Sequence, residues 1–305
     1  MTGARRIVFA AVAAASVAGS GCATISATTT TASLKSTALV DRSRKPPLVN
    51  SLDIDPRDGS FLLTTNRGFF RIRKDGRRYH RVRSTVTAPE GATAVGTFLS
   101  VFPLGRGELL GSGHPDDKRS KLPQFLGVLA SRDDGRTWKV IAREGIADLH
   151  VMRAEGARIY GYDAVLGAML VSSDRGRSWA EHAAPQGQLM ADFVVDPRDP
   201  SYLLASTDDT LYRSSDAGKT WRPLAPALTA RLAWVLPGRI VRADKSGAVY
   251  WSTDRGTSWK RVGDVGSEVW KLKAVSPSTI YAAIGDGSIR KSADDGKTWK
   301  VVFTP

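Results

Sequence analysis

Acidic residues and histidines occur in short polar stretches where they could act together on a substrate. The candidates for general acid, general base or nucleophile are His114, Asp116, Asp148, His150, Asp163 and Asp192. Two carboxyls flanking a glycosidic bond can share these roles, and an imidazole can move protons near neutral pH. The alternative is that they are exposed loop residues and hairpin formers, which contribute little to folding.

A second set of polar and aromatic residues suits ligand binding. Its members fall near the ends of predicted strands and are Asn66, Arg67, Asp208, Trp234, Asp244 and Trp270. An open surface of aromatic and polar side chains without a pair of catalytic acids is typical of a binding site. Solvated loop residues remain the alternative here too.

The composition limits the remaining chemistry. With a single cysteine, Cys22, and four histidines, the chain can form no internal disulfide and no thiolate zinc cluster, so we expect no metal and no cofactor. Lys and Arg total 44 against 30 Asp and Glu, a net charge of +14. This charge gives a general attraction to anionic surfaces such as nucleic acid, acidic glycans or lipid headgroups, and by itself it identifies no partner. Among these we expect a glycan or another anionic envelope polymer as the partner, no nucleic acid, and a monomer.

The N-terminus has the anatomy of an export signal. A basic pair, an apolar run from Ile7 to Val17 and a few small residues precede Cys22. This ending resembles a bacterial lipoprotein signal, which implies a signal peptide over residues 1–21, lipidation of Cys22 and attachment to the membrane. Residues 22–48 are predicted to be a flexible tether. The alternative is an ordinary secretory signal, so we expect an extracytoplasmic protein, anchored or secreted.

Internal repetition predicts the architecture. The pattern Ser-x-Asp-x-Gly-x-(Thr/Ser)-Trp occurs five times, and its aspartates are Asp133, Asp174, Asp216, Asp254 and Asp294. Their separations are 41, 42, 38 and 40 residues. A degenerate copy lies around Asp75 and Gly76. Because such aspartates and glycines form tight turns and the tryptophans pack between strands, we interpret the motif as structural.

Four short strands surround each repeat, so we predict an all-β fold, a six-bladed β-propeller of four-stranded antiparallel blades over residues 49–305. The repeats join the third strand of a blade to the fourth. Ligand loops are then expected at the opposite rim, above all the run Gly111 to Arg119.

The repeats resemble the Asp-box (BNR) motif, and the chain is similar to exported, sialidase-like lipoproteins labelled glycosyl hydrolases. The stretches that carry this likeness begin at Asp53, Leu110, Ala147 and Tyr160. Sialidases use an arginine cluster and a Tyr-Glu nucleophilic pair, which the spacing here does not supply. Photosystem II assembly factors share the same motif. The resemblance therefore implies either a glycan hydrolase or glycan-binding protein of the envelope, or a non-catalytic binding or assembly propeller.

Overall fold

We analysed a computed structural model, which describes residues 46–305 except 89–90, 117–119, 186–188, 227–228, 236–237 and 277. The predicted signal peptide, Cys22 and the tether up to residue 45 lie outside the described residues. All regular elements in the described ranges are β-strands. These ranges contain no helix of the length and apolar character needed to cross a membrane.

Five blades are four-stranded antiparallel sheets whose strands follow chain order. They are β1 to β4 (Val49–Ile54, Phe61–Thr65, Gly68–Ile72, Tyr79–Val82), β10 to β13 (Leu149–Glu155, Arg158–Asp163, Ala168–Ser172, Ala180–Ala183), β14 to β17 (Asp192–Asp196, Asp199–Ser206, Thr210–Ser214, Arg222–Pro226), β18 to β21 (Ala230–Val235, Arg239–Asp244, Ala248–Ser252, Lys260–Asp264) and β22 to β25 (Val269–Ala274, Ile280–Ile284, Ile289–Ser292, Lys300–Phe303).

The prediction of six four-stranded blades is wrong for the second sheet of the ring, which has five strands. Its strands are β5 (Thr85–Ala88), β6 (Gly91–Gly105), β7 (Glu108–Pro115), β8 (Val128–Ser131) and β9 (Thr137–Ala142). The added strand β5 pairs with the start of β6 and, in parallel, with β9, so this five-stranded sheet closes on itself. Pairing of this kind removes the free outer edge that β9 would otherwise present.

The inner ring is formed by the first strand of each four-stranded blade and by β6, the second strand of the closed sheet. Contacts run from β1 to β6, β10, β14, β18 and β22, and from β22 back to β1. Side chains join some of these strands to backbone: Asn50 Nδ2 donates to Phe98 O at 2.9 Å, and Ser100 Oγ donates to Leu149 O at 2.8 Å. Apolar residues of successive sheets pack between the blades in six buried clusters.

Each repeated motif forms the same hairpin turn. In the first, Asp133 accepts hydrogen bonds from Ser131 Oγ and from the Thr137 backbone N–H, both at 2.9 Å. The corresponding aspartates of the other copies make equivalent contacts. These hydrogen bonds hold the pKa of Asp216, Asp254 and Asp294 at about 2, although burial opposes the shift and is the largest single effect at Asp216. The five carboxylates are therefore engaged within their own turns.

The residue between Asp and Gly in each turn is not glycine, yet its φ is positive, from 58 to 64°. Four of these residues bind a charged side chain of the preceding blade. The pairs are Asp134 with Arg57, Arg175 with Glu108, Arg255 with Asp196, and Asp295 with Arg239. The turns thus link neighbouring blades at the motif-side rim of the ring. Ala217 is the fifth such residue and packs against an apolar cluster instead.

The motif tryptophans are not equally buried. Trp138 is fully buried and donates from Nε1 to Gly135 O at 2.8 Å. Trp221, expected to pack like the others, is only partly buried, and its Nε1 donates to Ala183 O of the preceding blade at 3.1 Å. Trp138 therefore has the larger structural role of the two.

Candidate functional site

Three of the predicted catalytic residues form one cluster at the rim opposite the repeated turns. His114 lies near the end of β7, Asp148 precedes β10, and His150 is the second residue of β10. The Nε2 atoms of His114 and His150 lie 3.1 Å from Asp148 Oδ1 and Oδ2 respectively. The ring of Phe125 packs edge-on against His114 with a centroid distance of 5.6 Å. Asp148 is 7% exposed, so it is a buried anchor for two imidazoles rather than an exposed loop residue.

The electrostatics of this cluster restrict what Asp148 can do. Burial raises its pKa, but hydrogen bonds from His114 and His150 more than offset burial and lower the pKa to about 2. Asp148 is therefore ionised at neutral pH, with an imidazole on each oxygen. A carboxylate in this state cannot donate the proton that a general acid must supply.

Asp163 lies beneath the cluster and supports its loops. It is fully buried, and its Oδ1 accepts from the backbone N–H groups of Asp148, Val165 and Leu166 at 3.0 to 3.3 Å. Asp116 lies beyond the end of β7 and is exposed, with its backbone N–H bonded to Ala94 O. The run from Gly111 was expected to be a loop, but it is strand as far as Pro115 because it pairs with β6.

Asp192 belongs to a different set of contacts inside the ring. It is 1% exposed and accepts from Arg153 Nη2 at 2.8 Å and from the Leu232 backbone N–H at 3.0 Å. These partners fix its side chain between β10, β14 and β18. The six catalytic candidates thus do not converge as a free pair of acids.

The predicted ligand-binding residues mostly stabilise turns. Asn66 Oδ1 accepts from the Leu48 N–H, Asp208 Oδ1 accepts from Thr229 Oγ1, and Asp244 Oδ1 accepts from Ser246 and Ala248. Arg67 lies in the β2–β3 turn, where its backbone N–H donates to Thr65 Oγ1. These residues share the rim of the His114 cluster, but Asn66 and Arg67 lie in the first blade, Asp208 in another and Asp244 in a third.

The two tryptophans of that set lie at opposite ends of the ring. Trp270 is at the start of β22 and packs its partly buried ring into an apolar cluster beside Gly285. The placement of Trp234 at the same rim is wrong. Trp234 is near the end of β18 and packs against Tyr202 at 6.1 Å, toward the motif-side rim, because inner strands run from one rim to the other.

A cavity of about 640 Å³ opens at that motif-side end, where the inner strands finish. Apolar and aromatic atoms of Phe102, Met152 and Tyr281 line it together with the charged groups of Asp53, Arg153 and Lys273. Lys273 Nζ is 2.8 Å from Asp53 Oδ1. Mixed apolar and polar walls of this kind suit a ligand with both characters.

A smaller cavity of about 120 Å³ adjoins it and shares Arg153 and Lys273 with it. Glu155 and Trp234 also line this second cavity. Burial raises the pKa of Glu155, and the neighbouring Asp196 adds to the rise, whereas Lys273 opposes it. Glu155 is thus the carboxyl in the described structure that best combines a raised pKa with a cavity and a nearby acid.

The sequence interpretation missed this end of the ring. Arg153, Glu155, Lys271 and Lys273 stand on inner strands β10 and β22, outside any repeated motif. Their one visible signal is a polar residue at alternate positions of a predicted inner strand, which is also what an exposed strand face shows. Across the described ranges, no group of three or more His, Cys, Asp or Glu side chains could hold a metal ion.

Comparison with known proteins places the chain among β-propellers. Residues 127–245 match the Sortilin-Vps10 family, described as sortilin, neurotensin receptor 3. A xyloglucanase of Paenibacillus sp is 30% identical over 178 residues, which is 53% of this chain and 16% of the enzyme. The chain therefore spans about one sixth of the length of that curated relative.

Two solved folds are similar over most of the chain. An ancestral GH74 enzyme has a TM-score of 0.58 at 12% identity, covering 84% of this chain and 38% of the enzyme. YCF48 from Cyanidioschyzon merolae has a TM-score of 0.52 at 16% identity, covering 84% and 85% of the two chains. YCF48 bound to D1 peptide gives 0.54 at 18%, covering 85% and 81%. At these identities the likeness shows the fold, an all-β propeller.

Proposed function

We propose that this chain is a glycan-binding propeller of the cell envelope, exported by its N-terminal signal and held at the membrane through Cys22. The observation that carries the proposal is the cavity of about 640 Å³ at the motif-side mouth of the ring. Its apolar walls and paired charges resemble the surfaces that hold sugars by stacking and hydrogen bonding. The sequence likeness to a xyloglucanase supports a carbohydrate ligand.

At the rim of the His114 cluster, binding is favoured over hydrolysis because the predicted catalytic acids are already occupied by other partners. Asp148 holds two imidazoles, Asp163 holds backbone amides and Asp192 holds Arg153. A glycoside hydrolase needs one protonated carboxyl and a second carboxylate facing the same bond. Neither condition is met at the rim of the His114 cluster.

Placing a large charged side chain in the cavity tests this proposal. Val275 lines the cavity and is 47% exposed, so Val275→Arg should fill the mouth without disturbing the fold. We expect at least about a tenfold loss of affinity for whichever polysaccharide the wild-type protein binds in a panel that includes xyloglucan, measured by affinity electrophoresis and calorimetry.

The matched control is Val301→Arg, which places the same charge on the outermost strand β25, at a valine 56% exposed. It should bind as the wild type does. Equal binding by both variants, or a wild type that retains no polysaccharide in the panel, would reject the cavity as a glycan site.

Peptide binding is the second candidate function. It is favoured by the length of the match to YCF48, since this chain and that single propeller cover each other almost equally, and YCF48 has been solved with a bound D1 peptide. Selection from a displayed peptide library, repeated with Val275→Arg, distinguishes the two functions. Peptides enriched by the wild type and lost by the variant would assign the same cavity to a polypeptide.

A further inference from the structure

Four charged side chains meet inside the ring at the level where β14 begins. Arg153 on β10, Arg231 on β18 and Lys271 on β22 are positive, and Asp192 on β14 is negative. When Lys271 is protonated, three positive charges against one negative charge leave a net +2, because 3 − 1 = 2. Arg153 contacts Asp192, Arg231 contacts the residue before Asp192, and Lys271 lies close enough to interact with all three charges, so the four groups form one cluster.

The carboxylate and one of the arginines are already engaged. Asp192 is held by Arg153 Nη2 at 2.8 Å and by the Leu232 N–H at 3.0 Å. Arg231 donates through Nη1 to the backbone oxygen of Ala191. Asp192 therefore neutralises Arg153 and has little capacity left for the other two cations.

Among the described residues, Lys271 is the cation of this cluster without a direct ion-pair or hydrogen-bond partner. Over the ranges that the structure describes, its amine makes no hydrogen bond or ion pair, although the side chain is only partly exposed. Its neighbour on the same strand, Lys273, is satisfied by Asp53 of β1. A partly buried ammonium beside two guanidinium groups is unfavourable unless an anion accompanies it.

We infer that the centre of the ring is a binding site for an oxyanion, a carboxylate or sulfate group of the ligand, held between Lys271 and Arg231 with Arg153 and Asp192 as its wall. The inference deepens the proposed function, because it gives the glycan an acidic group. It also stands apart from that function, because small anions test it without any polysaccharide.

The protonation of Lys271 provides a sensitive readout. Burial lowers the pKa of Lys271 to about 7; Arg231 adds to this effect, Asp192 opposes it and Arg153 adds again. An anion bound beside the amine stabilises its protonated form and so must raise this pKa. Anion affinity should therefore be high below pH 7 and fall as the pH rises through it.

The probes are sodium sulfate and sodium D-glucuronate, neither of which titrates near pH 7. For the full chain we expect affinity for at least one of them to fall about tenfold between about pH 6 and about pH 8, as the protonated fraction of Lys271 falls from about 0.9 to about 0.1. NMR of ¹³C-labelled lysine should show the Lys271 pKa rising when that anion is added. Preference for glucuronate would indicate a uronic acid, and preference for sulfate a sulfate ester.

Two substitutions of Lys271 separate charge from fold. Lys271→Met should abolish anion binding at about pH 6, whereas Lys271→Arg should keep binding and lose its pH dependence, since arginine does not titrate in this range. Lys300→Met, on the exposed outer strand β25, is the matched control and should behave as the wild type. Unchanged binding by Lys271→Met, or the wild-type pH dependence in Lys271→Arg, would overturn the assignment.

Discussion

At the scale of single residues, Asp148 shows how burial and partners together set the behaviour of an acid. Its carboxylate sits between His114 and His150 and is shielded from solvent. A buried charge is tolerated only when it is paired and hydrogen-bonded, and the two imidazoles meet that requirement. In the sequence, the polar stretches that contain Asp148, His114 and His150 suggest a catalytic acid. In the fold, the same two histidines bind the Asp148 carboxylate and keep it from acting as a free acid.

The lowered pKa of Asp148 makes a stability prediction. Because the pKa is about 2 when folded and near 3.8 in the unfolded chain, ionised Asp148 stabilises the fold above about pH 4, and this contribution disappears as the pH falls toward 2. The difference corresponds to about 2–3 kcal/mol. Asp148→Asn should lose stability of this order at pH 7, measured by denaturant unfolding, and should show a weaker dependence of stability on pH between about 4 and 2.

Asp116→Asn is the comparison for that measurement, because Asp116 is exposed and close to His114 in sequence. It should leave the unfolding free energy unchanged within about 0.5 kcal/mol. If Asp148→Asn kept the wild-type unfolding free energy and its dependence on pH between about 4 and 2, the two histidines would not hold the carboxylate in solution.

At the scale of elements, the repeated turns combine a backbone cost with a contact between blades. A non-glycine residue at positive φ is disfavoured by about 1–2 kcal/mol, yet all five copies place one before the glycine. In four copies the side chain at that position pairs with a charge of the preceding blade. The contact explains why glycine does not occupy the position.

Ala217 makes no such charged contact, so relief of the strain should dominate there. Ala217→Gly should stabilise the protein by about 0.5–1 kcal/mol, since the strain removed exceeds the added entropy of the unfolded chain. Arg255→Gly relieves the same strain but leaves buried Asp196 without its arginine and Tyr202 without a stacked guanidinium. The midpoint of thermal unfolding should rise for the first variant and fall for the second. A rise for both would show that the contacts between blades contribute little.

At the scale of the whole molecule, the sequence predicts the features that every blade repeats. It does not predict the contacts that form only when distant parts of the chain meet in the closed ring. The turn motifs and the four-strand period predict the propeller because each blade carries its own local signals. The closed second sheet depends on β5 pairing with β9, about 50 residues further along, which no local pattern reveals. Lys271 and the three charges around it come from four separate blades, and only the closed ring brings them together.

Charge is also uneven across the molecule. Residues 41–83 hold 12 basic and 5 acidic residues, so 12 − 5 gives +7, half of the net +14. Arg57 and Arg71 both form ion pairs with Asp55. Arg57 also pairs with Asp134 of the next blade. The remaining cations at the outer edge of the first blade are exposed and make no ion pair among the described residues; they are Arg77, Arg78, Arg81 and Arg83.

This edge should bind an anionic surface if it is more than a guard against pairing of exposed strands. Replacing Arg77, Arg78, Arg81 and Arg83 with Gln should weaken binding to phosphatidylglycerol-containing vesicles at low salt by on the order of 1,000-fold, since each cation near such a surface contributes about 1 kcal/mol and about 1.4 kcal/mol is a factor of ten. In the matched control, Gln replaces four cations that are exposed on other blades: Lys219, Arg222, Lys260 and Lys300. This variant changes the net charge by the same amount. If sedimentation with vesicles falls by the same factor for both variants, overall charge rather than this edge governs binding. If neither variant differs from the wild type, the arginines serve only to protect the edge.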